Sequence, residues 1–90
     1  MDESELTVEL LEKLYRKTCW GKGHMLVKNL QSVAPTHMRG YVKDALKKLV
    51  NLGLVIVYGR TKHGLAVYLN TAKKKEIEEI LFGTAANQNT

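Results

Sequence analysis

Residues 36–69 read THMRGYVKDALKKLVNLGLVIVYGRTKHGLAVYL. In the first half Met38, Val42, Ala45, Leu46 and Leu49 recur at three- and four-residue spacings, the period of one helix face. His37, Arg39, Lys43, Lys47 and Lys48 fall on the opposite side. This spacing predicts a helix from about Thr36 to Leu52, stopped by Gly53, where a left-handed backbone costs little. Leu54–Tyr58 and Leu65–Leu69 are mostly β-branched or aromatic. They predict an antiparallel hairpin around a six-residue basic loop, Gly59-Arg60-Thr61-Lys62-His63-Gly64. A cationic helix face followed by a cationic hairpin tip can grip a nucleic acid at two places. One element enters a groove while the other lies along the backbone.

The charge distribution points the same way. The chain of 90 residues has a net charge of +5. Asp2, Glu3, Glu5, Glu9 and Glu12 are gathered at one end, and Glu76, Glu78 and Glu79 near the other. All fourteen lysines and arginines lie between Lys13 and Lys75, where Asp44 is the single acid, a local balance of +13. Segregation of this kind suits a polyanion partner, although a lysine-rich solvated face is the plainer alternative.

Ninety residues with 44% apolar content make one folded domain. No apolar run approaches the roughly 20 residues that span a bilayer, so no membrane association is expected. The acidic start argues against a signal or transit peptide, and a lone Cys19 cannot form an internal disulfide. Both favour a reduced, cytoplasmic protein.

Before residue 36 the pattern predicts two further helices. Residues 1–6 read as an acidic lead-in. Thr7 to about Thr18 reads as a helix capped by Thr7, with Val8, Leu11, Leu14 and Tyr15 on one face and Leu10 near it. Cys19-Trp20-Gly21-Lys22-Gly23 reads as a turn, with room for one or two residues of strand after it. Met25 to about Ser32 reads as a short helix with Leu26, Val27 and Leu30 inward, and Pro35 marks the next break. After the hairpin, Asn70 or Thr71 can cap a last helix to about Phe82, with Ile77, Ile80 and Leu81 inward. Residues 83–90 read as a flexible polar tail, leaving 7–82 as the domain.

This order, with the run Val42-Lys43-Asp44-Ala45-Leu46-Lys47-Lys48-Leu49-Val50-Asn51-Leu52-Gly53-Leu54-Val55, resembles the winged helix-turn-helix family. There a recognition helix ends in Leu-x-x-Leu-x-x-x-Gly-Leu-Val and leads into the wing. Gly64–Leu69 resembles the wing's return strand. The closing Leu69-Asn70-Thr71 with Ile77-Glu78-Glu79-Ile80 is similar to small archaeal winged-helix proteins. The resemblance implies an α+β fold: a three-helix core, a two-stranded β-hairpin wing and a C-terminal helix. One departure is Gly40, inside the predicted third helix, where glycine costs about 1 kcal/mol against alanine. Two readings stay open: the helix begins after it, or it allows close approach of a backbone.

The candidate DNA-contacting residues are Thr36, His37, Arg39, Lys43 and Lys47 on the helix, Arg60, Lys62 and His63 at the hairpin tip, and Lys22 and Lys28 before them. Arginine can bond bidentately to guanine, whereas lysine acts mostly as a point charge on phosphate. Each also fits an ordinary solvated surface, and Thr36 fits a helix cap better than a phosphate ligand. The resemblance implies that side chains at the start of the third helix meet base edges and that the wing tip meets the minor groove or flanking phosphates. Lys73, Lys74 and Lys75 oppose the dipole at the start of the last helix, which suits an anion or an acidic neighbour. Tyr15 and Trp20 fit a core or interface better than base stacking.

Cys19, His24, His37 and His63 match no common zinc spacing, so neither a metal nor a cofactor is expected. No catalytic constellation and no small-molecule ligand is evident, and no enzyme activity is expected. The expectation is sequence-specific binding of double-stranded DNA by a small transcriptional regulator, with a possible homodimer through the terminal helices. The alternatives are a winged-helix protein-interaction adaptor and an RNA-binding or ribosome-associated winged helix.

Overall fold

Asp2 sets where the chain becomes helical. Its carboxylate accepts the Glu5 N–H at 2.8 Å, and the Glu5 carboxylate accepts the Asp2 N–H at 3.0 Å. This reciprocal capping box starts helix α1, Glu3–Arg16. The acidic stretch expected to lead into the helix is therefore its first turn. Thr7, the expected cap, lies inside, its hydroxyl donating to the Glu3 carbonyl at 2.9 Å. The buried face is Leu6, Leu10, Leu11 and Leu14, while Val8, placed on that face by spacing, is exposed. The computed structural model describes residues 2–83, and the tail expected over 84–90 lies outside the described residues.

At the end of α1 the Cys19 N–H donates to the Leu14 carbonyl and the Thr18 N–H to the Tyr15 carbonyl, both at 3.0 Å. These are the two bonds of a Schellman cap. The left-handed position is held by Thr18, at φ 52°, where glycine would be unstrained. The turn that follows is tight: a Cβ on Gly23 would stand 2.9 Å from the Thr18 carbonyl oxygen.

The helix expected over residues 25–32 is divided. Met25–Leu26 forms strand β1, Val27–Leu30 forms helix α2, and Gln31–Val33 closes as a 3-10 turn. Met25 pairs with Val67 and Leu26 with Ala66, so ladder bonds claim two residues that helical periodicity alone would give to α2. The third helix is divided as well. Thr36–Tyr41 is a 3-10 turn and α3 is Val42–Asn51, so the α-helix begins after Gly40. Its C-terminus repeats the Schellman pattern, with Leu54 N–H to Leu49 O at 3.0 Å and Gly53 N–H to Val50 O at 2.9 Å. Gly53 takes the left-handed position, at φ 79°.

Strands β2, Val55–Thr61, and β3, Gly64–Leu69, form the hairpin. The sheet is antiparallel with order β1-β3-β2. The expected six-residue loop shrinks to Lys62 and His63, because Gly59 to Thr61 pair with Ala66 to Gly64. The register shifts between Val57 and Gly59, leaving Tyr58 as the extra residue of a β-bulge. At the tip the Thr61 hydroxyl donates to the Gly64 carbonyl at 2.8 Å and accepts the His63 N–H at 3.1 Å.

Asn70 caps a 3-10 turn, Thr71–Lys73, that leads into helix α4, Lys74–Phe82. The result is an α+β domain of four α-helices and a three-stranded antiparallel sheet. Leu10, Leu14, Leu30, Leu49, Leu69 and Ile77 are fully buried in one core, where α1, α2 and α3 meet the sheet and α4 packs on α1. Truncation of any one to alanine carries a cost of about 2–5 kcal/mol. Ile80, expected inward with Ile77, is instead 45% exposed, while Leu81 packs at the edge of the core.

Candidate nucleic-acid interface

The hairpin ladder determines which residues share a face, because directly opposed side chains lie on the same side of a sheet. Val55 opposes Leu69, Val57 opposes Val67, and Arg60 opposes Leu65. Val57, Leu65 and Val67 line a cleft of about 260 Å³ with Lys43, Leu46, Lys47 and Val50 of α3 and with Val27. Arg60 therefore projects from the α3 side of the sheet. Ile56 opposes Tyr68 on the outer side, where the Tyr58 ring stacks on His24 with centroids 4.0 Å apart.

Thr36, His37, Arg39, Lys43, Lys47, Arg60, Lys62, His63, Lys22 and Lys28 are all exposed. The structure does not set the first five along one helix. His37 and Arg39 belong to the 3-10 turn, whose three-residue period takes them out of line with Lys43 and Lys47. Arg39 is also tied back, its Nε donating to the Ala34 carbonyl at 3.3 Å. Thr36 is not a cap, since Pro35 precedes the turn and no side chain bonds to it there. Lys62 and His63 form the tip, Lys22 lies in the turn before β1, and Lys28 lies on α2.

The cations divide into two sets. Lys48 pairs with Glu3 of α1 at 3.3 Å, Lys73 with Glu76 at 3.3 Å and Lys74 with Glu78 at 3.6 Å. Lys13 donates to the Asn29 carbonyl and the Ser32 hydroxyl, each at 3.3 Å. By contrast Lys22, Lys28, Lys43, Lys47, Arg60 and Lys62, and away from them Arg16, Lys17 and Lys75, make no side-chain hydrogen bond or ion pair within the described residues. Of the three lysines at the start of α4, which from sequence suited an anion or an acidic neighbour, Lys73 and Lys74 thus pair with acids one turn on.

Two titratable groups lie away from this surface. The Tyr15 hydroxyl donates to the Glu78 carboxylate at 2.7 Å, and that bond, then burial, then the Glu78 charge raise the phenol above its ordinary value. Cys19 is buried, and burial pushes its thiol up against a smaller opposing pull from Lys17. It is a core residue. Tyr15 contacts Trp20 and Phe82 edge to face, which makes both aromatic residues part of the packing.

The aliphatic lining of the cleft escapes sequence reasoning. Simple alternation along two five-residue strands gives no reason for both Val57 and Leu65 to be exposed beside α3. Comparison with family models, with curated proteins and with solved structures returns no match to this chain. Among the described residues no helix is long and apolar enough to cross a membrane.

Proposed function

We propose that this chain is a winged helix-turn-helix protein that binds double-stranded DNA sequence-specifically, as a small transcriptional regulator. One observation carries the reading: the unpaired cations Lys43 and Lys47 of α3 lie beside the hairpin face from which unpaired Arg60 projects. In this reading α3 and the turn before it enter the major groove, and the hairpin is a wing lying on flanking phosphates or the minor groove. Lys22, Lys28 and Lys62 supply phosphate contacts. The Arg39 terminal nitrogens are unengaged among the described residues, which leaves them for a guanine edge. Thr36, His37 and His63 stand where phosphate or base contacts are open to them. A two-fold dimer through α4 would set two such faces on a pseudo-palindrome.

The test is a titration of a random-sequence duplex pool followed over a range of salt. Each phosphate contact adds a slope of about −0.9 to log K against log salt, so several contacts give a steep line. A shallow or absent salt dependence overturns the reading. RNA and single strands added as competitors at fixed salt should displace the duplex poorly.

A further inference from the structure

The cleft between α3 and the hairpin is poorly matched to a phosphate backbone. In the docking proposed above, a sugar–phosphate strand would cross this position. Yet the lining is aliphatic: Val27, Leu46, Val50, Val57, Leu65 and Val67. Val57 is 47% exposed and Leu65 37% exposed, so the apolar surface faces water. The remaining two lining residues are Lys43 and Lys47, both unpaired. They are four residues apart on one helix and so are surface neighbours, about 5–6 Å apart at Cβ.

We infer that this cleft is a binding site for a small apolar carboxylate. The hydrocarbon covers Val57, Leu65 and the aliphatic floor, and the carboxylate takes charge-assisted hydrogen bonds from Lys43 and Lys47. Size favours a small molecule over a protein segment. The volume, about 260 Å³, lies just under the range of about 300–1,000 Å³ usual for small-molecule sites. A specific protein interface covers about 800 Å² on each partner. Here the exposed large apolar side chains are two, Val57 and Leu65, because Tyr58 turns to the outer face to stack on His24. The consequence for DNA rests on the function proposed above: a filled cleft would deny the duplex both lysines, making the carboxylate an antagonist.

A methyl-detected NMR titration of the whole chain tests this, with octanoate, octanol and octylamine as probes. Octanoate should shift the Val57, Leu65 and Leu46 methyls saturably, and at least about tenfold more tightly than octanol, as expected for hydrogen bonds between charged groups. The double variant Lys43→Gln, Lys47→Gln should bind octanoate and octanol alike, its dispersed spectrum reporting that it remains folded. Methyls that stay still in millimolar octanoate overturn the inference. So does octanol or octylamine binding as tightly as octanoate. Duplex titrations in parallel keep the two ideas separate. Octanoate binding without duplex binding upholds the site and removes its regulatory role, and duplex binding with unmoved methyls upholds the DNA reading and removes the site.

Discussion

Arg60 stands opposite Leu65 in the hairpin ladder, two residues beyond the bulged Tyr58. With unbroken alternation from Val57 it would lie on the outer face with Ile56 and Tyr68. The extra residue moves it to the α3 side, so a local irregularity converts a charge in the strand into one beside Lys43 and Lys47. Re-aiming a side chain in this way is a common use of bulges.

That relationship gives a prediction with two arms. Arg60→Ala should weaken duplex binding about tenfold, in line with a hydrogen bond to a charged group, and reduce the salt slope by about 0.9. Deleting Tyr58 should leave duplex binding close to that of the parent chain, because Arg60 then stands two residues after Val57 and keeps the α3 side of a regular ladder. Lys62→Ala, at the tip, should weaken all duplexes alike, whereas Arg39→Ala should relax sequence preference. Anisotropy titrations against a selected and a scrambled duplex check all four. If Arg60→Ala, verified as folded by circular dichroism, binds like the parent chain, the docking geometry is wrong.

Tyr15 gives the alkaline limb of stability a defined origin. Its folded-state pKa is raised above 10.0, so the proton is held more tightly in the folded chain than in the unfolded one. The stability from this contact is complete below the unfolded value of about 10.0 and is lost as pH rises through the higher folded value. A spectrophotometric titration of the parent chain minus that of Tyr15→Phe should isolate one phenolate with a midpoint above 10.0. Glu78→Ala should return that midpoint towards 10.0, since the leading cause is the hydrogen bond to Glu78.

The two Schellman caps differ in a way that mutation can read. Gly53 occupies the left-handed position after α3, but Thr18, β-branched, occupies the equivalent position after α1 at φ 52°. A left-handed conformation costs a non-glycine residue about 1–2 kcal/mol, and glycine gives back about 0.5–1 kcal/mol through the unfolded chain. Thr18→Gly should therefore stabilise the protein by about 0.5–1 kcal/mol in denaturant unfolding, whereas Gly53→Thr should destabilise it.

Asn70 joins the end of α3 to the start of α4. Its Nδ2 donates to the Gly53 carbonyl at 2.8 Å and its Oδ1 accepts the Ala72 N–H at 3.0 Å. Asn70→Ala loses both bonds and should cost about 1–2 kcal/mol, measured by the same denaturant unfolding. Asn70→Asp keeps the cap but sets an acceptor against the Gly53 carbonyl, so it should not recover the whole loss.

What the sequence revealed follows from how local each signal is. Met38, Val42, Ala45, Leu46 and Leu49 are all buried, as their spacing required, and Gly53 and Asn70 end and begin helices as their chemistry suggests. The start of α1 was legible too, in Asp2 and Glu5 three residues apart, but Thr7 offered a competing cap and drew the boundary inward. β1 was less legible, since two residues carry no strand period and owe their state to partners about forty positions away, Val67 and Ala66. The bulge at Tyr58 had no local mark except Gly59 beside it. Its effect on the face of Arg60, and so on the candidate interface, came only with the register.

A homodimer through the terminal helices would have to use the part of α4 that its own domain leaves uncovered. Ile77, expected inward, is fully buried in its own domain and offers nothing to a partner. Phe82, 59% exposed, leans edge to face on Tyr15 of α1. The unpartnered apolar surface is instead Leu52, 64% exposed after α3, and Ile80, 45% exposed on α4. With Leu54, Glu76 and Glu79 they line a groove of about 380 Å³. A second copy packing there through a two-fold axis would bury each Ile80 against the partner's groove. Two large side chains per copy form a small apolar centre, below the standard interface of about 800 Å² a side, so the dimer should be weak and concentration-dependent. Sedimentation equilibrium at tens of micromolar should give an average mass above 10.2 kDa, rising with concentration. Ile80→Glu, which adds a third carboxylate beside Glu76 and Glu79, should restore the monomer mass while leaving the circular dichroism spectrum unchanged. A parent chain that stays at 10.2 kDa across the range removes the dimer and leaves assembly on DNA as the route to a two-fold complex.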